Sequence, residues 1–190
     1  MQTPIGQEPE PNVFSVGAAM SALQREVGVL GVADHLCRSK HSLEGSVGQV
    51  VLLLIDSGCF DHVCPQRFAQ HFAMRPPQRE INAVGADGTA LGQLGVRSVE
   101  CQILDGHDGS ATFQVMTVSR PILAVARLRK NGWTSNFAPE AACLTKGPDH
   151  RLGLVQHGGL FYLPVRILSA GVQPGLEELG VPTWPRVDME

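Results

Sequence analysis

Six consecutive apolar residues, Val50 to Ile55, run directly into an aspartate in the stretch VVLLLIDSGCFDHVCP. A short apolar run of this kind, ending in turn residues, is typical of a β-strand buried on both faces. Carboxylates are among the groups least tolerated in a protein interior, so the position of Asp56 needs an explanation. Either Asp56 reaches solvent at a turn, or the strand holds it in place for chemistry.

Further strand signals predict a mostly β fold. Residues 81–106 read as two strands around a glycine-rich tip, GADG at residues 85–88. Residues 111–118 alternate as a strand does, and residues 158–168 form the last apolar strand. We therefore expect strands to dominate from about residue 46 to residue 168.

One or two short helices accompany these strands. Residues 64–74 predict a helix with Pro65 in its first turn, where a proline is well tolerated. Residues 126–132 predict a second one, closed by the Asn-Gly pair that commonly ends a helix. The domain is expected over residues 46–168, between a disordered leader with an unassigned segment (1–45) and a flexible tail (169–190).

Charge and composition exclude several classes of protein. The net charge is −3 with no long basic run, and aromatic residues make up 5% of the chain, which argues against nucleic-acid binding. No apolar run approaches the roughly 20 residues that a bilayer-crossing helix needs. The start of the chain lacks the basic and apolar segments of a signal peptide, and five cysteines fit reduced thiols. These features predict an intracellular, cytoplasmic protein without a membrane partner.

Four stretches carry a resemblance to a known family. They are IDSGCFDHVCP (residues 55–65), AVGADGTALGQLG (83–95), PILAVARLRKNGW (121–133) and GGLFYLPV (158–165). Their order and spacing resemble those of a retropepsin-like aspartic protease, particularly the protease segment of copia-type retrotransposon polyproteins. The resemblance covers roughly residues 46–168.

The resemblance implies a retropepsin-like closed β-barrel and assigns roles to ten residues. The catalytic motif would be Asp56-Ser57-Gly58, in which Ser57 links the two halves of the site and the Gly58 N–H donates to a carboxylate. A substrate-binding flap would contain Gly85, Ala86, Asp87 and Gly88. A strand packed against the site would contain Ile122, Leu123 and Ala124.

The implied chemistry needs two carboxylates about 3 Å apart that share one proton. The ionised carboxylate takes a proton from a water that attacks the peptide carbonyl, and the neutral one donates to the developing oxyanion. The chain has a single Asp-Ser-Gly, so the second carboxylate must come from a second copy. The resemblance thus implies an aspartic endopeptidase that works as a homodimer on polypeptides, as in polyprotein processing, without a cofactor or metal.

A second reading comes from another class of protein. A retropepsin-like barrel can lose catalysis and persist as a dimerisation or peptide-binding module derived from a transposon. The intact Asp56-Ser57-Gly58 favours the enzyme. Ala124, which stands where many members of the family have glycine or serine, favours the inactive module because its methyl group could crowd the catalytic loop.

The remaining motifs favour ordinary structural roles. Cys59, His62 and Cys64 could be zinc ligands, but their spacing matches no zinc finger, ribbon or retroviral zinc knuckle, and no second Cys/His pair follows. Small buried thiols and a surface or packing histidine are therefore expected. A cysteine nucleophile beside His62 is a weaker alternative, because neighbours on one turn rarely align as an attacking pair. The glycine-rich residues 84–95 lack the lysine of a phosphate-binding loop and favour a hairpin.

Overall fold

A computed structural model of the chain describes residues 44–104, 106–138, 140–170 and 187–189. The leader and unassigned segment expected over residues 1–45 lie outside these ranges except for their last two residues. Most of the expected tail, residues 171–186, also lies outside them. The described residues are mostly β, as the sequence predicts, with fourteen strands and one short helix.

The strands range from two to eleven residues in length. In chain order they are β1 (Val50–Asp56), β2 (Val63–Cys64), β3 (Met74–Arg75), β4 (Ala83–Val84), β5 (Ala90–Leu91), β6 (Gln93–Ile103), β7 (Asp108–Met116), β8 (Ile122–Ala124), β9 (Thr134–Asn136), β10 (Cys143–Lys146), β11 (His150–Gly153), β12 (Val155–His157), β13 (Leu160–Ile167) and β14 (Val187–Asp188). The helix α1 (Val125–Lys130) follows β8 directly.

Nine strands form one sheet in the order β12-β13-β1-β8-β2-β7-β6-β3, with β14 beside β7. Strand β13 also pairs with β6, so the path of pairings from β13 through β1, β8, β2, β7 and β6 returns to the strand where it began. The hairpin β4-β5 and the three-stranded sheet β11-β10-β9 lie outside this path. Nothing in the sequence analysis predicts the three-stranded sheet.

The apolar strand β1 lies between an antiparallel neighbour, β13, and a parallel one, β8. Its residues alternate between buried and half-buried. Val51, Leu53 and Ile55 belong to the core, whereas Leu52 and Leu54 are half-buried on the opposite face. The expectation of a strand buried on both faces is therefore wrong, because successive side chains of a strand point to opposite faces and only one face of β1 meets the core.

Residues 64–74 do not form the predicted helix. They form short turns, one of which is closed by the Phe68 N–H donating to the Pro65 carbonyl at 3.0 Å. A helix would need right-handed dihedral angles and a bond from each N–H to the carbonyl four residues earlier. Ala69 meets neither condition, because its φ is +51° and its N–H donates to the Glu44 carbonyl at 2.7 Å.

The second predicted helix is confirmed as α1. It begins at Val125 and ends in the Asn131-Gly132 pair, where Gly132 adopts a φ of +83°. The buried side chain of Leu128 attaches the helix to the core. The main-chain carbonyl of Leu128 accepts a hydrogen bond from the Trp133 N–H at 3.0 Å. Among the residues that the structure describes, no helix has both the length and the apolar character to cross a membrane.

The end of the chain contributes to the folded domain. Strand β14 pairs in parallel with β7, and the Met189 N–H donates to the Ser110 carbonyl at 3.0 Å. The Met189 side chain is fully buried in the core. This differs from the flexible tail expected over residues 169–190, because one apolar side chain and a main-chain pairing attach residues 187–189 to the sheet.

Candidate functional site

Asp56 is the last residue of β1, and the parallel pairing of β1 with β8 brings it beside Ala124. The same register pairs Leu54 with Ile122 and Ile55 with Leu123. The structure therefore brings the expected catalytic residue and the expected packing strand together. Parallel pairing explains this arrangement, because both strands deliver their carboxyl ends to the same edge of the sheet.

The turn after β1 presents a carboxylate at the protein surface. Asp56 is half-buried, and Ser57 and Gly58 are exposed. The Gly58 N–H donates to Asp56 Oδ1 at 2.7 Å, which is the role expected for this glycine. A Cβ atom at Gly58 would lie 3.3 Å from the same oxygen, so a larger residue would crowd the carboxylate. Asp56 is thus oriented by its own turn and placed where water can reach it.

The glycine-rich stretch forms the expected hairpin between β4 and β5. Ala83 pairs with Leu91 and Val84 pairs with Ala90. Its tip contains the expected flap residues Gly85, Ala86, Asp87 and Gly88. Within the tip, the Gly85 N–H donates to the Thr89 carbonyl and the Thr89 N–H donates to the Asp87 carboxylate at 2.9 Å. The hydrogen bonds from the Thr89 N–H and hydroxyl lower the pKa of the Asp87 carboxyl.

The base of the hairpin packs close to the Asp56 turn. A small apolar cluster contains the buried side chains of Val63, Ala83 and Met116. Partly buried side chains packed against this cluster come from the Asp56 turn, from the hairpin and the residues just before it, from the loop after β7 and from β8: Cys59, Ile81, Leu91, Val118 and Ile122. The hairpin is therefore anchored beside the candidate site, while the side chain of Val84 near its tip is 70% exposed.

His62 is a buried residue whose role beside Asp56 the sequence does not indicate. The Ala124 N–H donates to His62 Nδ1 at 2.9 Å, and His62 Nε2 lies 3.0 Å from the Met189 carbonyl oxygen. Burial lowers the pKa of the imidazole below its ordinary value of 6.5, and the Arg127 charge acts in the same direction. The burial of His62 agrees with the expectation of a packing histidine. Its hydrogen bond with Ala124, the residue paired with Asp56, joins residues far apart in the chain and could not be predicted from the sequence.

Asp61 is a second buried polar residue that sequence reasoning missed. Its side chain is 2% exposed and accepts hydrogen bonds from the His62 N–H, from Gln114 Nε2 and from Arg127 Nη1. The Arg79 guanidinium lies 3.8 Å from its other oxygen. The only signal in the sequence is a charged residue between the apolar strands β1 and β2, where a buried carboxylate requires partners of opposite charge.

The thiols near the site are not prepared for nucleophilic or metal chemistry. Burial raises the pKa of Cys59, and that of Cys64 rises to about 12, so both remain protonated at neutral pH. Both ring nitrogens of His62 already have main-chain partners. No group of three or more metal-ligating side chains occurs within the described ranges. These contacts do not support the zinc and cysteine-nucleophile alternatives.

The geometry combines an oriented surface carboxylate, a buried strand beside it and a glycine-rich hairpin anchored nearby. Such an arrangement can orient a water at the Asp56 carboxylate. The chain matches no protein-family model, no curated protein and no solved structure.

Proposed function

We propose that the chain is an aspartic endopeptidase of the retropepsin type, active as a homodimer in which two Asp56 carboxylates share one proton. One observation carries the proposal: the apolar strand β1 ends in an Asp-Ser-Gly turn in which Asp56 is half-buried and Ser57 and Gly58 are exposed, and Asp56 is in register with Ala124 of β8. Strand β1 lies between β13 and β8, and a strand paired in this way is a suitable support for a group that must be held within fractions of an ångström.

We also propose that the nine-stranded sheet curves into a closed barrel. The pairing path that begins and ends at β13 supports this, because each strand on the path has a hydrogen-bonded neighbour on both sides. A barrel of this kind has no open edge along its wall. The β4-β5 hairpin, outside the path and anchored beside the Asp56 turn, is then available as a flap over a bound peptide.

The proposed reaction uses water as the nucleophile. The ionised Asp56 carboxylate takes a proton from the water while the water oxygen bonds to the peptide carbonyl carbon. The neutral Asp56 of the second copy donates its proton to the carbonyl oxygen. The tetrahedral intermediate then breaks its C–N bond. The Asp56 that took the proton from water gives it to the leaving nitrogen, and the Asp56 of the second copy takes back a proton from a hydroxyl of the intermediate as the new carbonyl forms. Hydrogen-bond donation by the Gly58 N–H would keep the carboxylate oriented through both steps.

The first prediction concerns the substitution Asp56→Asn. An amide cannot take the proton, so cleavage of a peptide library by the purified protein should fall by roughly 10²–10⁴-fold. The free energy of unfolding should change by less than about 0.5 kcal/mol, because Asp56 is only half-buried and asparagine is nearly isosteric with aspartate. Mass spectrometry of the digest and urea titration are the two measurements.

The matched control is Asp149→Asn, which changes an exposed aspartate in the turn between β10 and β11. It should leave cleavage unchanged. Equal cleavage by wild type and Asp56→Asn would refute the proposal. If the wild type forms dimers, binds peptides and cleaves none of them, the second reading applies: an inactive dimerisation or peptide-binding module. The buried Ala124 methyl group beside Asp56 is the observation that favours this second reading.

A further inference from the structure

The two hydrogen bonds of His62 determine which of its nitrogens carries the proton. A main-chain N–H can only donate, so His62 Nδ1 must accept the Ala124 N–H that lies 2.9 Å away. The neutral ring then carries its proton on Nε2, which donates to the Met189 carbonyl at 3.0 Å. The ring therefore links the residue beside Asp56 to the C-terminal segment, residues 187–189.

The contact with Ala124 lies at a point where the main chain changes direction. Ala124 ends β8, pairs with Asp56 and stands at the N-terminal cap of α1, where no side chain of its own caps the helix. Its N–H is directed away from Asp56, to the imidazole of His62. Loss of this acceptor would leave a buried N–H without a partner, so the backbone beside Asp56 would shift to find one.

Charged and aromatic groups surround the imidazole from several elements. Asp61 precedes it in the chain and Arg127 reaches it from α1, while the Phe113 ring of β7 lies with its centroid 6.0 Å away. Arg79 approaches Asp61 from the loop before β4. The fully buried side chain of Met189 attaches the C-terminal segment to the core.

We propose that His62 is a positioning residue for the Asp56 site, and that docking of residues 187–189 selects the tautomer that holds Ala124 in place. The effect on cleavage rests on the proposed function. The coupling between Met189, His62 and Ala124 does not, because it is a property of the folded chain.

The proposal has a defined pH dependence. A second proton on His62 would sit on Nδ1 and face the Ala124 N–H, so two donors would oppose each other and the bond would be lost. Burial and the Arg127 charge lower the pKa of His62, whereas Asp61 and the Met189 carbonyl raise it, and the net shift is downward from 6.5. The contact is therefore present at neutral pH and is lost as the pH falls through the lowered pKa of His62.

Three variants test the hydrogen bonds of the two imidazole nitrogens separately. In His62→Asn the amide oxygen takes approximately the place of Nδ1, so it can accept from Ala124 but does not titrate. In His62→Gln the amide reaches toward Met189 and leaves Ala124 without its acceptor. Met189→Ala retains His62 and weakens the docking of the C-terminal segment. The control is His71→Asn, which changes an exposed histidine that also contacts a main-chain carbonyl, that of Leu168.

Two measurements do not depend on catalysis. The imidazole ¹⁵N chemical shifts report the tautomer, and the protection of the Ala124 amide from hydrogen exchange is followed as a function of pH. The wild type should have the proton on Nε2 and should lose Ala124 protection as the pH falls through the pKa of His62, which burial places below 6.5. At neutral pH, His62→Gln and Met189→Ala should lower Ala124 protection about tenfold, the size expected for one buried hydrogen bond. His62→Asn should keep the Ala124 protection at neutral pH, and this protection should no longer be lost in acid. His71→Asn should behave as wild type.

Cleavage supplies the third measurement. The acidic side of the kcat profile should be shallower in His62→Asn than in wild type, because the titrating group is gone. A proton on Nδ1 in the wild type, or unchanged Ala124 protection in both His62→Gln and Met189→Ala, would overturn the inference. Absence of cleavage in the wild type would refute the proposed function alone, since the tautomer and exchange results stand without it.

Discussion

At the scale of single residues, Asp61 shows how this fold accommodates a charge in its interior. A carboxylate that is 2% exposed is costly unless it is paired and hydrogen-bonded. Asp61 has a main-chain donor, an amide donor and two arginines around its two oxygens. These partners come from the loop before β4, from β7 and from α1, so the carboxylate joins the turn after β1 to three other parts of the chain.

Asp61→Asn should therefore destabilise the domain. The new amide group would place N–H donors toward Arg127 or Gln114, which are donors themselves, and would remove the negative charge near both arginines. We expect the free energy of unfolding to fall by about 2–3 kcal/mol, at or just below the lower end of the usual range for a broken buried ion pair, because Arg127 is partly exposed. Urea titration measures this change. A loss as small as that of the exposed control Asp149→Asn would contradict this account of the network.

At the scale of elements, the β4-β5 hairpin differs from the strands around it. It has four paired residues in a separate sheet, and Gly88 in its tip adopts a φ of +80°, which favours glycine. Its base is held by the small apolar cluster and by Gln93 Oε1, which accepts the Ile81 N–H at 3.0 Å. The hairpin thus combines an anchored base with a lightly supported tip, which is the construction that a flap requires.

This construction predicts fast local opening at the tip. The amides of Gly85 and Gly88 should exchange much faster than those of β1, because few buried contacts must break to expose them. Hydrogen exchange followed by NMR or mass spectrometry measures both regions in one experiment. A pepstatin-type inhibitor should slow exchange at the tip and leave β1 unchanged. Equal protection of the tip and β1 without inhibitor would be inconsistent with a mobile flap.

At the scale of the whole molecule, the proposed activity requires two copies of the chain. Each chain supplies one Asp-Ser-Gly, and this turn is exposed together with Phe60, whose side chain is 47% exposed. Under the proposed function, the same turn of a second copy would face this one across a twofold axis. One Asp56 can then accept a proton while the other donates one.

Dilution tests this requirement. Specific activity should be constant while the protein is dimeric and should fall as the concentration drops below the dimer dissociation constant, since a monomer holds half a site. Cleavage assays and analytical ultracentrifugation across the same concentration series give the two quantities to compare. Constant specific activity in samples shown to be monomeric would exclude a shared site, and Asp149→Asn should follow the wild-type curve.

Local signals in the sequence were sufficient for several elements. The apolar run of β1, the glycine-rich tip of the β4-β5 hairpin and the Asn-Gly end of α1 each depend on residues that are neighbours in the chain. The same kind of signal predicted a helix over residues 64–74, and this prediction is wrong. There the Ala69 N–H donates to the carbonyl of Glu44, a residue distant in the chain, and not to a carbonyl one helical turn earlier. Tertiary contacts override local preference when they supply the hydrogen bonds that a helix would have made.

The sequence by itself therefore determined the longer strands β1, β6, β7 and β13, where Asp56 stands at the end of β1, and which residues form the glycine-rich hairpin. Only the tertiary structure decided that Asp56 lies in register with Ala124, that His62 bridges Ala124 to Met189, and that Asp61 is buried among its partners. The physical reason is the range of the interactions. Strand periodicity and turn chemistry act between near neighbours, whereas register and the partners of buried polar groups depend on residues far apart in the chain that only the complete fold brings together.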